Sequence, residues 1–362
     1  MKKLITSEAV TEGHPDKICD KISDKILDNA LTQDKYSKMA VEATIKDDLV
    51  FIYGEATTDA DIDYELVAKE VLKDIGYTEN FKVITKVSKQ SSEIANAVLK
   101  DKICAGDQGI MFGYATNETE EYMPLTILLV NKLAKRMTDV RKSDPNSILK
   151  PDGKTQVTIE YEDNVPKRVD TIIIASQHSV NATLEMLEEL ITREVIEKVV
   201  PSNLIDSNTK ILINTSGSFV VGGPFGDSGT TGRKIVVDTY GGVARVGGGC
   251  FSSKDPSKVD RSAAYYARYV AKNVVANHYA DKCEVELSYA IGKEGPISVN
   301  IETYGTNKKS LDEINKYVNE TFNFNVDNII KELDLLRPLY YDLAAYGHFG
   351  RSDLDLSWEH IK

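Results

Sequence analysis

This 362-residue chain has no basic excess, few cysteines and no long apolar run, and each shortage removes a class of function. Its 44 lysines and arginines are outnumbered by 56 aspartates and glutamates, giving a formal net charge of -12. Binding a phosphate backbone calls for a basic face, so nucleic acid is not expected as the main partner. The four cysteines, Cys19, Cys104, Cys250 and Cys283, form no C-x-x-C pair and no zinc-like spacing, and they read as reduced thiols. No stretch approaches about 18 apolar residues, and the opening MKKLITSEAVTEGHPDK puts acids and a histidine where a signal peptide needs its apolar region. No membrane span is expected, and the cytoplasm is the expected location. Low-complexity tracts are also missing, which excludes a largely disordered chain.

What is present is glycine in one place. Ten of the 23 glycines fall between Gly222 and Gly249, in GGPFGDSGTTGRKIVVDTYGGVARVGGGCFSSKDPSK, punctuated by Arg233, Lys234, Lys254 and Lys258. Glycine lets backbone N–H groups close around an anion and the cations neutralise it, so the pairing points to a polyphosphate. The segment is not a P-loop, because Lys234 is followed by Ile235 where that motif needs Ser or Thr. A run of structural turns is the competing reading of the same glycines. Just beyond, SSKDPSKVDR sets Asp260 among Lys254, Lys258 and Arg261. Mixed charge on a surface turn is commonly only solvation, but a carboxylate among lysines also suits a magnesium-bound phosphate, and Asp260 is a candidate ligand.

Length predicts two or three domains of roughly 100 to 150 residues. In HPDKICDKISDKILDNAL the spacing of Ile18, Ile22, Ile26 and Ala30 predicts an amphipathic helix, with His14 at its cap, Pro15 first and Asp16 in the opening turn. Asp16 would be a second magnesium carboxylate there, and His14 a hydrogen-bond donor to a leaving-group oxygen. Val50 to Gly54 predicts a strand entering a turn at EATT, Tyr64 to Gly76 a helix, and FKVITKVSKQ a second strand. A mobile loop is expected near Ala105 to Gly109, a lid candidate. A helix follows from Met123 to Arg141, then a turn-rich link through PDGK into VTIEY. The remaining chain predicts VDTIIIASQH and KILINTS as strands around a helix over 180–200, and beyond the glycines a helix near 263–276, two strands, and one or two helices over 311–336. With few helices for the strand count, α+β is favoured over a doubly wound parallel sheet. GDQG and AYGHFGR read as architectural turns, and His178, His278 and His360 as ordinary residues.

Taken together, EGHPDK, CAGDQG, the long glycine motif, GGGCFSSKDPSKVDRSAAY and AAYGHFGR resemble the S-adenosylmethionine synthetase family, from the first motif to the last. The resemblance implies three similar α+β domains related by a pseudo-threefold axis with segments interleaved in sequence, divided here as 1–102, 103–221 and 222–362. It implies ATP and L-methionine as substrates, triphosphate cleaved to phosphate and pyrophosphate, and a homodimer with active sites at the interface, often paired into a tetramer. Methionine sulfur is then the nucleophile, so no Ser or Cys nucleophile is required.

By motif, the resemblance assigns His14, Lys154, Arg233, Lys234, Lys254 and Lys258 to catalysis. ATP is assigned to His14, Asp152, Gly153, Lys154, Ser218, Phe219, Asp227, Arg233, Lys234, Cys250 and Lys254, with Phe219 stacking on adenine. Glu55, Gln90, Asp227 and Lys258 are implied for methionine, Asp16 and Asp260 for two Mg²⁺ per site, and Glu42 for K⁺. Gln90 to about Gln108 matches a gating loop, with Asp107 at its end. Three positions depart from the family pattern: Ser218 where Arg is usual, Val246 where His is common, and Cys250 where Ala is common. Losing a charged hydrogen bond at Ser218 would weaken nucleotide contacts by about 1–3 kcal/mol. A nucleotide-binding regulatory protein with the same fold and altered turnover is the alternative that these departures raise.

Overall fold

The computed structural model describes residues 2–89 and 103–362. Eleven strands form three sheets among these residues. The first sheet has the order β4 (Lys82–Ser88), β3 (Leu49–Thr57), β2 (Lys38–Lys46), β9 (Gly229–Thr230). The second runs β1 (Lys2–Val10), β6 (Leu149–Glu162), β7 (Val165–His178), β8 (Lys210–Ile213), and the third β11 (Ser298–Glu302), β10 (Lys282–Tyr289), β5 (Gly109–Thr116). Neighbours are antiparallel except β3 with β4 and β7 with β8. Each sheet therefore takes an edge strand from a distant part of the chain: β1 leaves for the second sheet, β5 for the third, and β9 returns to the first. The exchange is cyclic, and the fold is α+β with its segments interleaved, as the sequence led us to expect.

One long helix covers a face of each sheet: α1 (Pro15–Gln33) on β2, α3 (Leu125–Ser143) on β6, and α5 (Val259–Ala276) on β5 and β10. Between them in sequence lie α2 (Tyr64–Ile75) and α4 (Leu184–Ile191); α6 (Leu311–Thr321) and α7 (Val326–Glu332) follow. α2 ends on Gly76 in the left-handed conformation at φ 112°, and α6 starts on a Ser310–Glu313 capping box. Among the described residues no helix is long and apolar enough to cross a membrane, and none of the four cysteines is in a disulfide.

Two local expectations are corrected and a third is extended. α1 forms as the expected amphipathic helix, but its polar face is not left to solvent: fifteen of its 19 residues are buried, its aspartates and Lys17 included. The apolar stripe of Ile18, Ile22, Ile26 and Ala30 is fully buried, but the charged face is enclosed by later chain segments. PDGK is not a turn but part of β6, and Glu55 is within β3, not in the turn after it. Burial alternates around Glu55 on the β2–β3 ladder, whereas Pro151, Asp152 and Gly153 are all buried at a register shift in the β6–β7 pairing; both are tertiary effects that local turn propensity does not register. The strands β1, β2, β5 and β9 were not foreseen as such.

Candidate active site

The turn between β1 and α1 is built by its neighbours. Thr11 Oγ1 donates to Pro151 O at 2.6 Å, Thr11 N–H to Gly153 O at 3.0 Å, and Tyr77 Oη to Gly13 O at 2.7 Å. A Cβ on Gly13 would lie 2.3 Å from Pro151 O, so no other residue fits there. Glu12 is buried, yet its carboxylate receives Lys21 and Lys142 at 2.8 Å and Arg141 at 2.9 Å. Burial pushes its carboxyl up, and the lysines pull it below the ordinary range.

These contacts fix His14 as the N-cap of α1, 3% exposed, with Asp16 N–H donating to its Nδ1 at 3.2 Å. Nδ1 is thus an acceptor, and the neutral ring carries its proton on Nε2. Burial first, then Lys234 and Lys154, push the imidazole down to about 3, against the opposing pull of Asp16 and Asp227. The lowered imidazole is therefore neutral near pH 7, with Nε2–H as its available donor.

Asp16 gathers the glycine-rich segment. Its carboxylate accepts Thr230 N–H at 3.0 Å and Lys234 Nζ at 2.5 Å, with Arg233 at 3.7 Å. Burial raises its carboxyl, but Lys234 and the Thr230 amide outweigh that and hold it below the ordinary range. Gly229 permits the approach, since a Cβ there would be 2.1 Å from Pro15 O. Many glycines in this segment serve such crossings, and the N–H groups of Gly223 and Gly232 donate to Asp152 and Asp20. These two amides are therefore engaged by protein carboxylates. Arg245, also in the segment, is held by Glu284 at 2.7 Å and Glu286 at 2.9 Å.

A second cluster lies at the start of α5. Lys254 pairs with Asp260 and Lys258 with Asp255, each at 2.5 Å. Asp255 is fully buried; burial raises its carboxyl, but Lys258, Lys38 and Ser257 bring it to about 2. A Cβ on Gly249 would be 2.0 Å from Asp260 Cγ, so that glycine lies directly on the carboxylate. Lys254 bridges to Ala40, which faces Glu55 across the β2–β3 ladder, and Glu42 accepts Tyr53 Oη at 3.2 Å. Cys250 is half-buried against Gly232, and burial pushes its thiol up. Two helix N-termini thus carry the same device, an aspartate in the first turn held by a lysine from the glycine-rich segment, and a helix N-terminus favours anions.

Asp152 and Phe219 lie around the end of β7. Asp152 is buried, accepts Gly223 N–H at 2.8 Å, and is pushed up to about 6 by burial. Gly153 packs on Met137 and Ala175, and Lys154 is exposed on β6. Phe219 is half-buried beside the exposed Ser218, and Asp227 and Val246 are exposed. Glu55 is exposed on β3. Gln90 and most of the expected gating loop lie outside the described residues. Of its C-terminal end, Asp107 is exposed, while Ala105 is buried and exchanges backbone hydrogen bonds with Gly292 and Lys293. Sequence reasoning missed Glu12, Tyr77 and Asp152's amide partner; only Glu12, beside His14, carried a local signal.

Comparison with known proteins covers the whole chain. The N-terminal domain of S-adenosylmethionine synthetase matches residues 2–101, its central domain residues 102–219 and its C-terminal domain residues 221–360. An S-adenosylmethionine synthase of Clostridium botulinum (strain Alaska E43 / Type E3) is 51% identical, the match spanning 100% of this chain and 97% of that protein.

Proposed function

The chain belongs to the S-adenosylmethionine synthetase family and is a transferase of S-adenosylmethionine synthesis; from that premise we propose how its own residues carry the reaction. ATP and L-methionine are the substrates. The methionine sulfur lone pair forms the new bond to the ribose 5′ carbon as the C5′–O bond breaks, and that electron pair leaves on the triphosphate oxygen. Water then splits the triphosphate into phosphate and pyrophosphate. The observation that carries this reading is the repeated lysine–aspartate contact at two helix N-termini, Lys234 with Asp16 and Lys254 with Asp260, each at 2.5 Å.

A leaving triphosphate needs positive charge and donors placed before the bond breaks. Arg233, Lys234, Lys254, Lys258 and Lys154 supply the charge, and His14 Nε2–H donates to the departing oxygen. Phe219 lies against adenine, with Asp152, Gly153, Ser218 and Cys250 around the nucleotide. Glu55, Gln90, Asp227 and Lys258 hold methionine, the carboxylates taking its ammonium. Asp16 and Asp260 suit Mg²⁺, two ions per site: both are hard oxygen donors already set against a cation. Such an ion takes its other ligands from phosphates and water. When bound, magnesium neutralises the polyphosphate; Glu42 is the carboxylate for K⁺.

The proposed assembly is a homodimer that completes each site from two chains, with tetramers built from such dimers. Ile84, Ile110, Ile211, Leu212 and Val299 are exposed on strands, which gives the sheets apolar surface to bury against a partner. The cytoplasm is the proposed location. Incubating the purified protein with ATP, methionine, Mg²⁺ and K⁺ is expected to give S-adenosylmethionine, phosphate and pyrophosphate in equal amounts. ATP binding without product would leave a regulatory protein, and methionine-independent ADP formation an ATPase. Asp16→Asn and Asp260→Asn are each expected to raise the magnesium needed for half-maximal turnover, and an unchanged requirement in both would remove the metal assignment.

A further inference from the structure

We propose that His178 is a positioning residue for the nucleotide, holding the Phe219 ring in place without touching ATP; the inference rests on the reading above that Phe219 meets adenine. His178 closes β7 and is 3% exposed. Its Nε2 accepts Phe219 N–H at 3.0 Å, and its own backbone N–H donates to Phe219 O at 3.0 Å. Nδ1 lies 3.0 Å from Ser179 O, a contact that requires a proton on Nδ1 and so leaves Nε2 free to accept. One residue thus engages both backbone groups of Phe219, leaving the half-buried ring as the part available for contact.

The neighbouring contacts extend this clamp. Gln177 Nε2 donates to Val220 O at 3.0 Å, while its Oε1 accepts Asp152 N–H at 3.2 Å. A Cβ on Gly222 would lie 2.8 Å from both Gln177 Cδ and Phe219 Cε2, so the chain beyond Phe219 folds back onto the same pair. Residues 214–221 contain no helix or strand, so no ladder orients the ring. Without His178 the segment would have to be ordered each time a base stacked on Phe219, and that cost would appear in nucleotide affinity. A histidine serving only the core would affect stability alone.

The test uses the full-length enzyme with His178→Ala, His178→Gln, Phe219→Ala and the double variant His178→Ala/Phe219→Ala. His178→Ala is expected to raise KM for ATP about tenfold, with KM for methionine little changed. His178→Gln, whose Oε1 can take the place of Nε2, should recover most of that loss. The double variant should bind ATP no worse than Phe219→Ala, because a residue acting through the ring has nothing left to position. An unchanged KM for ATP in His178→Ala, or additive losses in the double variant, overturns the inference. Phe219→Ala without effect on ATP would instead overturn the adenine reading on which it rests. Should His178→Ala fail to fold, His178→Leu against His178→Gln gives the same contrast, since only glutamine offers the acceptor.

Discussion

His14 shows how a single side chain's hydrogen bond decides its chemistry. Because the Asp16 amide occupies Nδ1, the useful atom is Nε2, and a glutamine can present an amide donor near that position. His14→Ala is expected to lower kcat about 100-fold with little change in KM, while His14→Gln should lose less; equal losses would remove the donor role. Asp152 gives a stability counterpart. Asp152→Ala leaves the buried Gly223 N–H without its acceptor and should cost about 1–3 kcal/mol in denaturant unfolding, whereas Asp152→Asn keeps an acceptor and should cost less. Asp28 gives the pH case: burial, opposed by the Tyr340 and Tyr341 amides, raises its carboxyl to about 7. The unfolded chain releases this proton near pH 4, so the contribution of Asp28 to stability is intact below that and is lost as pH rises toward 7. Asp28→Asn cannot ionise, so the unfolding free energy of the variant should gain on the wild type between pH 4 and 7. A constant difference across that range would contradict the assignment.

The element that organises the site is α1, with aspartates at every fourth position: Asp16, Asp20, Asp24 and Asp28. They tie down later parts of the chain, the first two sharing one segment: Thr230 and Lys234 on Asp16, Gly232 on Asp20, Ser252, Ser253 and Arg261 on Asp24, and the Tyr340 and Tyr341 amides on Asp28. The four-residue period was legible in the sequence, as was the apolar stripe. Which later segments the aspartates would meet was not, because each of those partners is more than 200 positions away; Lys17, which pairs with Asp20 at 3.0 Å, is a local partner. Glycines of the later segment also serve close packing: Gly229 lies against Pro15 and Gly249 against Asp260. Asp24 and Arg261 are both fully buried, so Arg261→Ala strands a charge in the core and should cost about 3–5 kcal/mol, measurable by denaturant unfolding. Gly229→Ala forces α1 and the segment apart and should reduce turnover more than stability; unchanged kinetics would mean that the crossing tolerates a methyl group.

Across the whole molecule, fold class and interleaving were legible because five motifs spread over the chain name one family, whereas domain independence was not a property of any one stretch. Each sheet needs a strand from elsewhere, so heating is expected to give one calorimetric transition rather than three, and residues 2–101 expressed alone should show no cooperative unfolding. Separate transitions would mean that the exchanged strands are dispensable. The same exchange sets a schedule during synthesis. β1 leaves the ribosome first but has no partner until β6 is made, and the first sheet waits for Gly229–Thr230. At about 5–20 residues per second the delay is on the order of ten seconds or more. Through that interval a newborn strand with open edges must be kept from pairing with other nascent chains, so chaperone supply, rather than the stability of the finished enzyme, is expected to limit its yield in a cell.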